Sequence, residues 1–255
     1  MNAQANAKQS AIGHRLVVLG MIVALGAAGA MIFSGIGYRL ELFHFRVGFT
    51  ILRWAFWFAL AALVLTVVGF VAVRDRSRGT LIAAIVGVVV GAVAVYVPWN
   101  WKQTLDAHPY IHDISTDTAN PPEFVAAARL RKPGDHPVAY DGAEVADLQH
   151  KAYPDLVTLK TTAPADKVFA AAQQTIAAMG MQLADADPAQ GRIEANQKSL
   201  LYGFTDDMVV RIVAAADGTR VDVRSKSRVG RSDLGQNAKR IGVFLEKLKQ
   251  NLGSS

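Results

Sequence analysis

A chain of 255 residues that is 51% hydrophobic and carries a net charge of +6 is more apolar than an ordinary soluble protein. Its basic balance invites comparison with nucleic-acid binders, but the distribution of charge excludes that class. Residues 1–98 hold eight Lys/Arg against two acids, and residues 99–255 hold nineteen of each. The excess therefore flanks the apolar segments, and the neutral remainder has no electrostatic footprint for DNA or RNA. With no cysteine, disulfides, thiol catalysis and cysteine-ligated metals are also excluded.

Three apolar runs, at residues 16–38, 49–73 and 81–97, approach or exceed the ~20 residues that span a bilayer as helix. None has the polar stripe of a soluble helix. The first is longer than the ~7–15-residue core of a signal peptide and reads as a retained span. Lys8, Arg15, Arg74, Arg76 and Arg78 fall on one side of the three spans, against Arg39, Arg46 and Lys102 on the other. The positive-inside rule then places the N-terminus in the cytoplasm and everything after residue 98 outside. In a Gram-negative cell this is a multi-pass inner-membrane protein of the envelope with a periplasmic domain. Arg53 lies one turn inside the outward end, where it snorkels to the headgroups. Trp54, Trp57, Trp99 and Trp101 suit an interfacial aromatic belt. Without polar groups at mid-membrane, the spans at 1–98 read as an anchor and not as a transport path.

Residues 99–139 contain "ANPPEF" and "KPGDHP", whose prolines break regular structure. This segment is a linker, or a strap packed on the domain after it. Residues 141–153 read as a helix opened by an Asp141/Glu144 capping box, and 156–161 as a strand. Thr162 is placed to cap a helix whose Val168, Ala172, Ile176 and Met179 share a face, with Gly180 ending it. Residues 181–184 and 192–196 read as strands around "DADPAQG".

The clearest local signal is "DDMVVRIVAA", Asp217-Gly218 and "TRVDVRSKSRV": two alternating strands about a tight turn. Pairing across Asp217-Gly218 opposes positions whose numbers sum to 435. One face then holds Met208, Val210 and Ile212 with Val221 and Val223; the other holds Asp207 and Arg211 with Asp222, Arg224, Lys226 and Arg228. Ser232 is placed as the cap of a last helix whose Leu234, Ala238, Ile241, Leu245, Leu248 and Leu252 form one apolar stripe. The fold class is thus a membrane-anchored α+β protein: three N-terminal transmembrane helices, then an antiparallel sheet with helices packed on one face, over 140–255.

"IHDISTDTANPPEF" (111–124), "YPDL" (153–156), "FTDDMVVRI" (204–212) and "VDVRSKSRVGRSDLGQNAKRI" (221–241) resemble the signature blocks of the uncharacterised family catalogued as domain of unknown function 1499. The resemblance covers about residues 109–250, in the same block order. It implies the domain's limits and no established activity.

The candidate chemistry is sparse. His108 and His112 are four apart, with Asp113 and Asp117 nearby, but Pro109 between them argues against a helical metal site, and no metal or cofactor is expected. Asp206 and Asp207 point to opposite faces of one strand and do not make an acid–base pair. No nucleophile-elbow, zincin or nucleotide-loop spacing occurs. Gly230, Arg231 and Ser232 form a candidate anion site at a helix N-terminus, although Asp233 already supplies a negative charge there. The stronger candidate is the basic sheet face of Arg211, Arg224, Lys226 and Arg228, expected to face outward and available to an acidic protein partner or an anionic lipid headgroup. The leading reading is a non-enzymatic envelope protein that binds a partner or lipid. The alternative is a membrane-tethered hydrolase built around Asp113, Asp117, Asp207 and Arg228, which requires those groups to converge in a pocket.

Overall fold

The computed structural model describes residues 2–74 and 77–253; Arg76, one of the three arginines expected to orient the second loop, lies outside them. The chain divides into two compact units. One comprises the helices through Gln103 together with Leu200–Gly203; the other comprises Thr104–Ser199 and the chain from Phe204 onward.

The first unit contains α1 (Asn2–Arg39), α2 (Phe45–Ala72) and most of α3 (Arg78–Ala107). All three helices are long and apolar enough to cross a membrane. The irregular segment expected from residue 99 begins only after Ala107, because α3 continues through Pro98. A single proline forfeits one backbone bond and kinks a helix without having to end it, and no second breaker comes directly after it.

The packing of α1 on α2 is written in small residues. Gly13, Gly20, Ala27 and Ser34 recur every seven residues on α1; Gly48, Ala55, Ala62 and Gly69 do so on α2, and all are buried. The seams run antiparallel. A Cβ on Gly13 would lie 2.8 Å from the Gly69 carbonyl, one on Gly20 2.9 Å from that of Ala62, and one on Gly48 2.7 Å from that of Ser34. Helices in lipid gain nothing from excluding water between them, so small side chains that let backbones approach supply the attraction.

The second unit is built on one antiparallel sheet. Its elements are β1 (Asp113–Ser115), α4 (Ala126–Leu130), α5 (Ala143–Ala152), β2 (Leu159–Thr161), α6 (Ala165–Ala178), β3 (Gln182–Asp187), β4 (Arg192–Lys198), β5 (Thr205–Ala215), β6 (Gly218–Ser227) and α7 (Gln236–Gly253). The strand order is β1-β6-β5-β4-β3, with β2 also paired to β6. β2 takes Thr219–Val221 and β1 takes Arg224–Lys226. Between them Thr116 serves Val223 twice: its N–H donates to the Val223 carbonyl and its hydroxyl accepts from the Val223 N–H, both at 2.9 Å.

Helices α6 and α7 cover one sheet face. Val168 and Ile176, Ile241, Phe244 and Leu248 meet Ile193, Met208, Val210, Val221 and Val223 in a single buried cluster. The hairpin register differs from expectation. Ala215 pairs with Gly218 and Asp207 with Lys226, so the loop is Ala216-Asp217 and opposed numbers sum to two fewer than expected. A Cβ on Gly218 (φ +135°) would lie 2.1 Å from the Thr161 carbonyl; the glycine is spent admitting β2 and is a strand residue. Because the slip is two residues, every side chain keeps its expected face.

Three expected caps are also replaced. Helix α5 starts after Gly142, at φ 91° with no side-chain cap, because the Asp141 carboxylate is taken by Lys226. Pro164 and not Thr162 precedes α6. Helix α7 begins at Gln236 and not beside Ser232, since Leu234 and Gly235 both take left-handed backbone (φ 57° and 75°) and interrupt any earlier helical turn.

Candidate functional site

The second sheet face, expected to be open, is covered. After β1 the chain crosses it as a strap over residues 116–141 that includes α4. Phe124, Ala127 and Val138 pack there on Val209. A segment with so little regular structure has carbonyls that its own backbone does not satisfy, and burial demands donors for them. The basic residues of β6, and Arg228 directly after it, supply those donors. Arg224 donates to the carbonyls of Pro122 (3.2 Å) and Val138 (2.8 Å), Lys226 to that of Ala139 (2.6 Å), and Arg228 to that of Leu130 (2.9 Å).

The charges are balanced in the same layer. Arg224 Nε and Nη2 each donate to Asp113 at 2.8 Å. Lys226 Nζ lies 3.1 Å from Asp113 and 2.6 Å from Asp141. Arg228 and Arg131 both bond Asp207, at 2.8 and 3.1 Å. The Arg224 guanidinium also lies over the rings of Phe124 and Tyr140, 4.9 and 5.3 Å from their centroids, a geometry that favours a desolvated cation. Arg224 is 2% exposed and Lys226 0%. Burial lowers the pKa of Arg131 against the pull of Asp207. Burial, reinforced by Asp113, raises Tyr140 to about 12.

The four basic candidates therefore separate. Arg224, Lys226 and Arg228 act together beneath the strap. Arg211 stands apart, bonded to Asp117 (2.9 Å) and Asp222 (2.8 Å). The expectation of an open basic face is corrected for Arg224 and Lys226: a strap lies where solvent was expected. Asp207 and Arg228, directly opposed in the expected register, do form an ion pair, made diagonally because Asp207 opposes Lys226 in the ladder.

The carboxylates of the alternative reading do not converge. Asp113, Asp117 and Asp207 each belong to a different ion pair, and none lines the 590 Å3 groove that runs between α4 and strands β3 and β4, past Arg129, Asp185 and Arg192. Asp206 faces the opposite side from Asp207, as expected, and accepts from Arg240 at 2.6 Å. At the candidate anion site, Gly230 has φ 92°, Arg231 lies over the Tyr110 ring, and the Ser232 hydroxyl accepts from the Leu234 N–H. The anion's place is filled from within: Asp233 accepts from the N–H groups of Gly235 (2.9 Å) and Asn237 (2.7 Å). His108 contacts the Thr104 carbonyl and His112 stacks on His136. Among the described residues no group of three or more His, Asp or Glu is arranged to hold a metal ion.

Sequence reasoning passed over four residues that this architecture depends on. Glu194 of β4 accepts from the N–H groups of Val125, Ala126 and Ala127 at 2.8–2.9 Å, capping α4 across the sheet. Gln149 of α5 pairs with both backbone groups of Ser115, closing the edge of β1. Asn237 and Arg240 of α7 meet Ser225 and Ser227 on the helix side of β6. The alternation of "RSKSR" was the available signal: cations to the strap, serines to the helix.

These features define an α+β domain stapled by buried ion pairs, preceded by three helices that suggest a membrane location. The chain matches the family model described as Protein of unknown function (DUF1499) over residues 113–248, just over half its length, and it belongs to that family. The match begins at Asp113, the first carboxylate of the buried layer. No curated protein matches the chain.

Proposed function

We propose that this protein is a non-enzymatic envelope module, anchored in the inner membrane by three spans with its N-terminus in the cytoplasm, whose outward α+β domain binds an acidic protein partner or anionic lipid. One observation supports this most: the candidate polar residues are committed to one another. Asp113, Arg224 and Lys226 are buried in mutual ion pairs, Asp207 is buried against Arg131 and Arg228, and together they hold the strap in place, which is a structural task.

In this reading Arg224 and Lys226 support the binding surface from below. Contact falls to the cations at its rim: the exposed Arg220 and Arg231, with the half-buried Arg211 beside Asp117. Exposed cations of this kind steer acidic partners and respond to salt.

In-cell crosslinking of the intact membrane protein, read by mass spectrometry, is the test. Charge reversal at Arg224 or Lys226 is unsuitable because either change unbalances the buried layer. Arg220→Glu with Arg231→Glu is expected to remove specific crosslinks while the melting temperature is retained. An unchanged crosslink pattern overturns the reading.

A further inference from the structure

We propose that Leu200–Gly203, the turn between β4 and β5, is a lipid-contacting hook, with the boundary between acyl chains and headgroups as its partner. The sequence around it, Ser199-Leu200-Leu201-Tyr202-Gly203-Phe204, is unusual for a strand connection. Such turns ordinarily carry Gly, Asn, Asp, Ser or Pro, which tolerate water and turn geometry; this one carries two leucines and two aromatics. Leu200–Gly203 belong to the helical unit and not to the sheet unit, which resumes at Phe204.

The turn is fastened there by named contacts. Tyr202 is 4% exposed, and its hydroxyl lies 2.9 Å from Ser34 Oγ. Ser34 already donates its proton to the Met31 carbonyl at 2.7 Å, so Tyr202 is the donor. Leu201 fills the space a side chain at Gly35 would need, and the Tyr202 ring sits against Gly48. Arg39 donates to the Leu200 carbonyl at 2.6 Å, and Gly203, at φ +70°, turns the chain against Arg39. The rings of Phe49, Trp101 and Tyr38 surround Tyr202 with centroids 5.4, 6.4 and 6.5 Å away. Clustered tyrosine and tryptophan near the ends of apolar helices is the composition of a membrane–water interface.

Leu200 itself is left out of this packing. It is 91% exposed, an unusual state for a leucine held in place on both sides. At the end of α1 that holds the turn, and in the loop after it, apolar side chains are also uncovered: Phe33, Ile36, Leu40 and Leu42 are all exposed. Those side chains belong to, or directly follow, a helix apolar enough to lie in a bilayer, and the turn that carries Leu200 is fastened to that helix, so lipid covers Leu200 as it covers them. The inference rests on the membrane reading of the helices and on nothing in the proposed partner contacts.

The chain has no cysteine, so Leu200→Cys gives a single labelling site in the full-length protein with little risk to folding. The variant carries an environment-sensitive fluorophore and is reconstituted into phosphatidylcholine vesicles with or without a lipid bearing a shallow doxyl quencher. The expected result is loss of fluorescence with the doxyl lipid and protection from aqueous iodide. Iodide quenching without doxyl quenching places residue 200 in water and overturns the proposal. Protection from both quenchers, with bismaleimide joining two copies through residue 200, assigns the leucine to a second copy and overturns it equally. None of these outcomes depends on partner crosslinking, so this inference and the proposed function fail separately.

Discussion

Arg224 grips Asp113 through two parallel 2.8 Å hydrogen bonds, and both side chains are essentially sealed from water. Lys226 shares the same carboxylate, so one acid serves two buried cations, with Asp141 as the second acid at the margin. Removing one member of a buried ionic group leaves the others uncompensated, which costs more than the group contributes as a whole.

Asp113→Ala should therefore destabilise the domain by about 3–5 kcal/mol, and Asp113→Asn, which keeps an acceptor but no charge, by less. Thermal unfolding of the full chain measures the difference. Limited trypsin digestion locates it: the strap carries Arg129, Arg131 and Lys132, and cleavage there should accelerate in the alanine variant before the core is lost. Equal stability in wild type and variant would mean that the ion-pair layer does not hold the strap.

The elements were largely legible in the sequence, but the coverage of the second sheet face was not. Period-two alternation placed Arg224, Lys226 and Arg228 on one face, and a two-residue register slip left that intact. Alternation reports which residues share a face and not what lies over it. Polar residues on a strand read as solvated by default, and here they face a strap whose prolines and lack of periodicity resemble a tether. The compensating acids, Asp113 and Asp141, lie 111 and 85 residues away in sequence, beyond any local pattern. The caps failed for a related reason. Asp141 has the spacing of a capping residue, but a buried ammonium is a stronger claimant for its carboxylate than a helix end.

Glu194 caps α4 from the neighbouring strand through three backbone N–H groups. A helix of five residues cannot sustain itself, so α4 depends on this carboxylate. Glu194→Ala should cost about 1–3 kcal/mol, the penalty for leaving buried donors unmade. Hydrogen exchange at the amides of Val125, Ala126 and Ala127 is the specific readout. Those three should exchange faster in the variant while amides in β5 keep their protection. Uniform acceleration would point to global destabilisation and against a capping role.

Among the helices, Gly69 is placed so that any side chain meets backbone: a Cβ there lies 2.8 Å from the Gly13 carbonyl, the Leu16 Cβ and the Val17 N. Gly69→Val should force α1 and α2 apart and lower the melting temperature in detergent. Gly29→Val, where a Cβ meets nothing within 4 Å, is the matched control and should be nearly neutral. Comparable losses at both positions would show that the cost comes from valine in a helix and not from the seam.

His112 gives the fold a predictable response to acid. Its ring stacks on His136 with centroids 4.1 Å apart, and its Nε2 lies 3.3 Å from Asp141. Burial lowers its pKa below 6.5, His136 and Lys226 push the same way, and Asp141 and Asp113 oppose them. A histidine whose folded pKa lies below its unfolded one takes up its proton more readily in the unfolded chain. Its contribution to stability is therefore complete above the unfolded value of 6.5 and is lost as pH falls through the folded value. Carboxylates add their own acid dependence, so the comparison must be between variants. Lowering the pH from about 7.5 to about 5.5, the range in which histidine titrates, should reduce the melting temperature of the wild type more than that of His112→Gln. Parallel pH profiles for the two proteins would remove His112 as the cause.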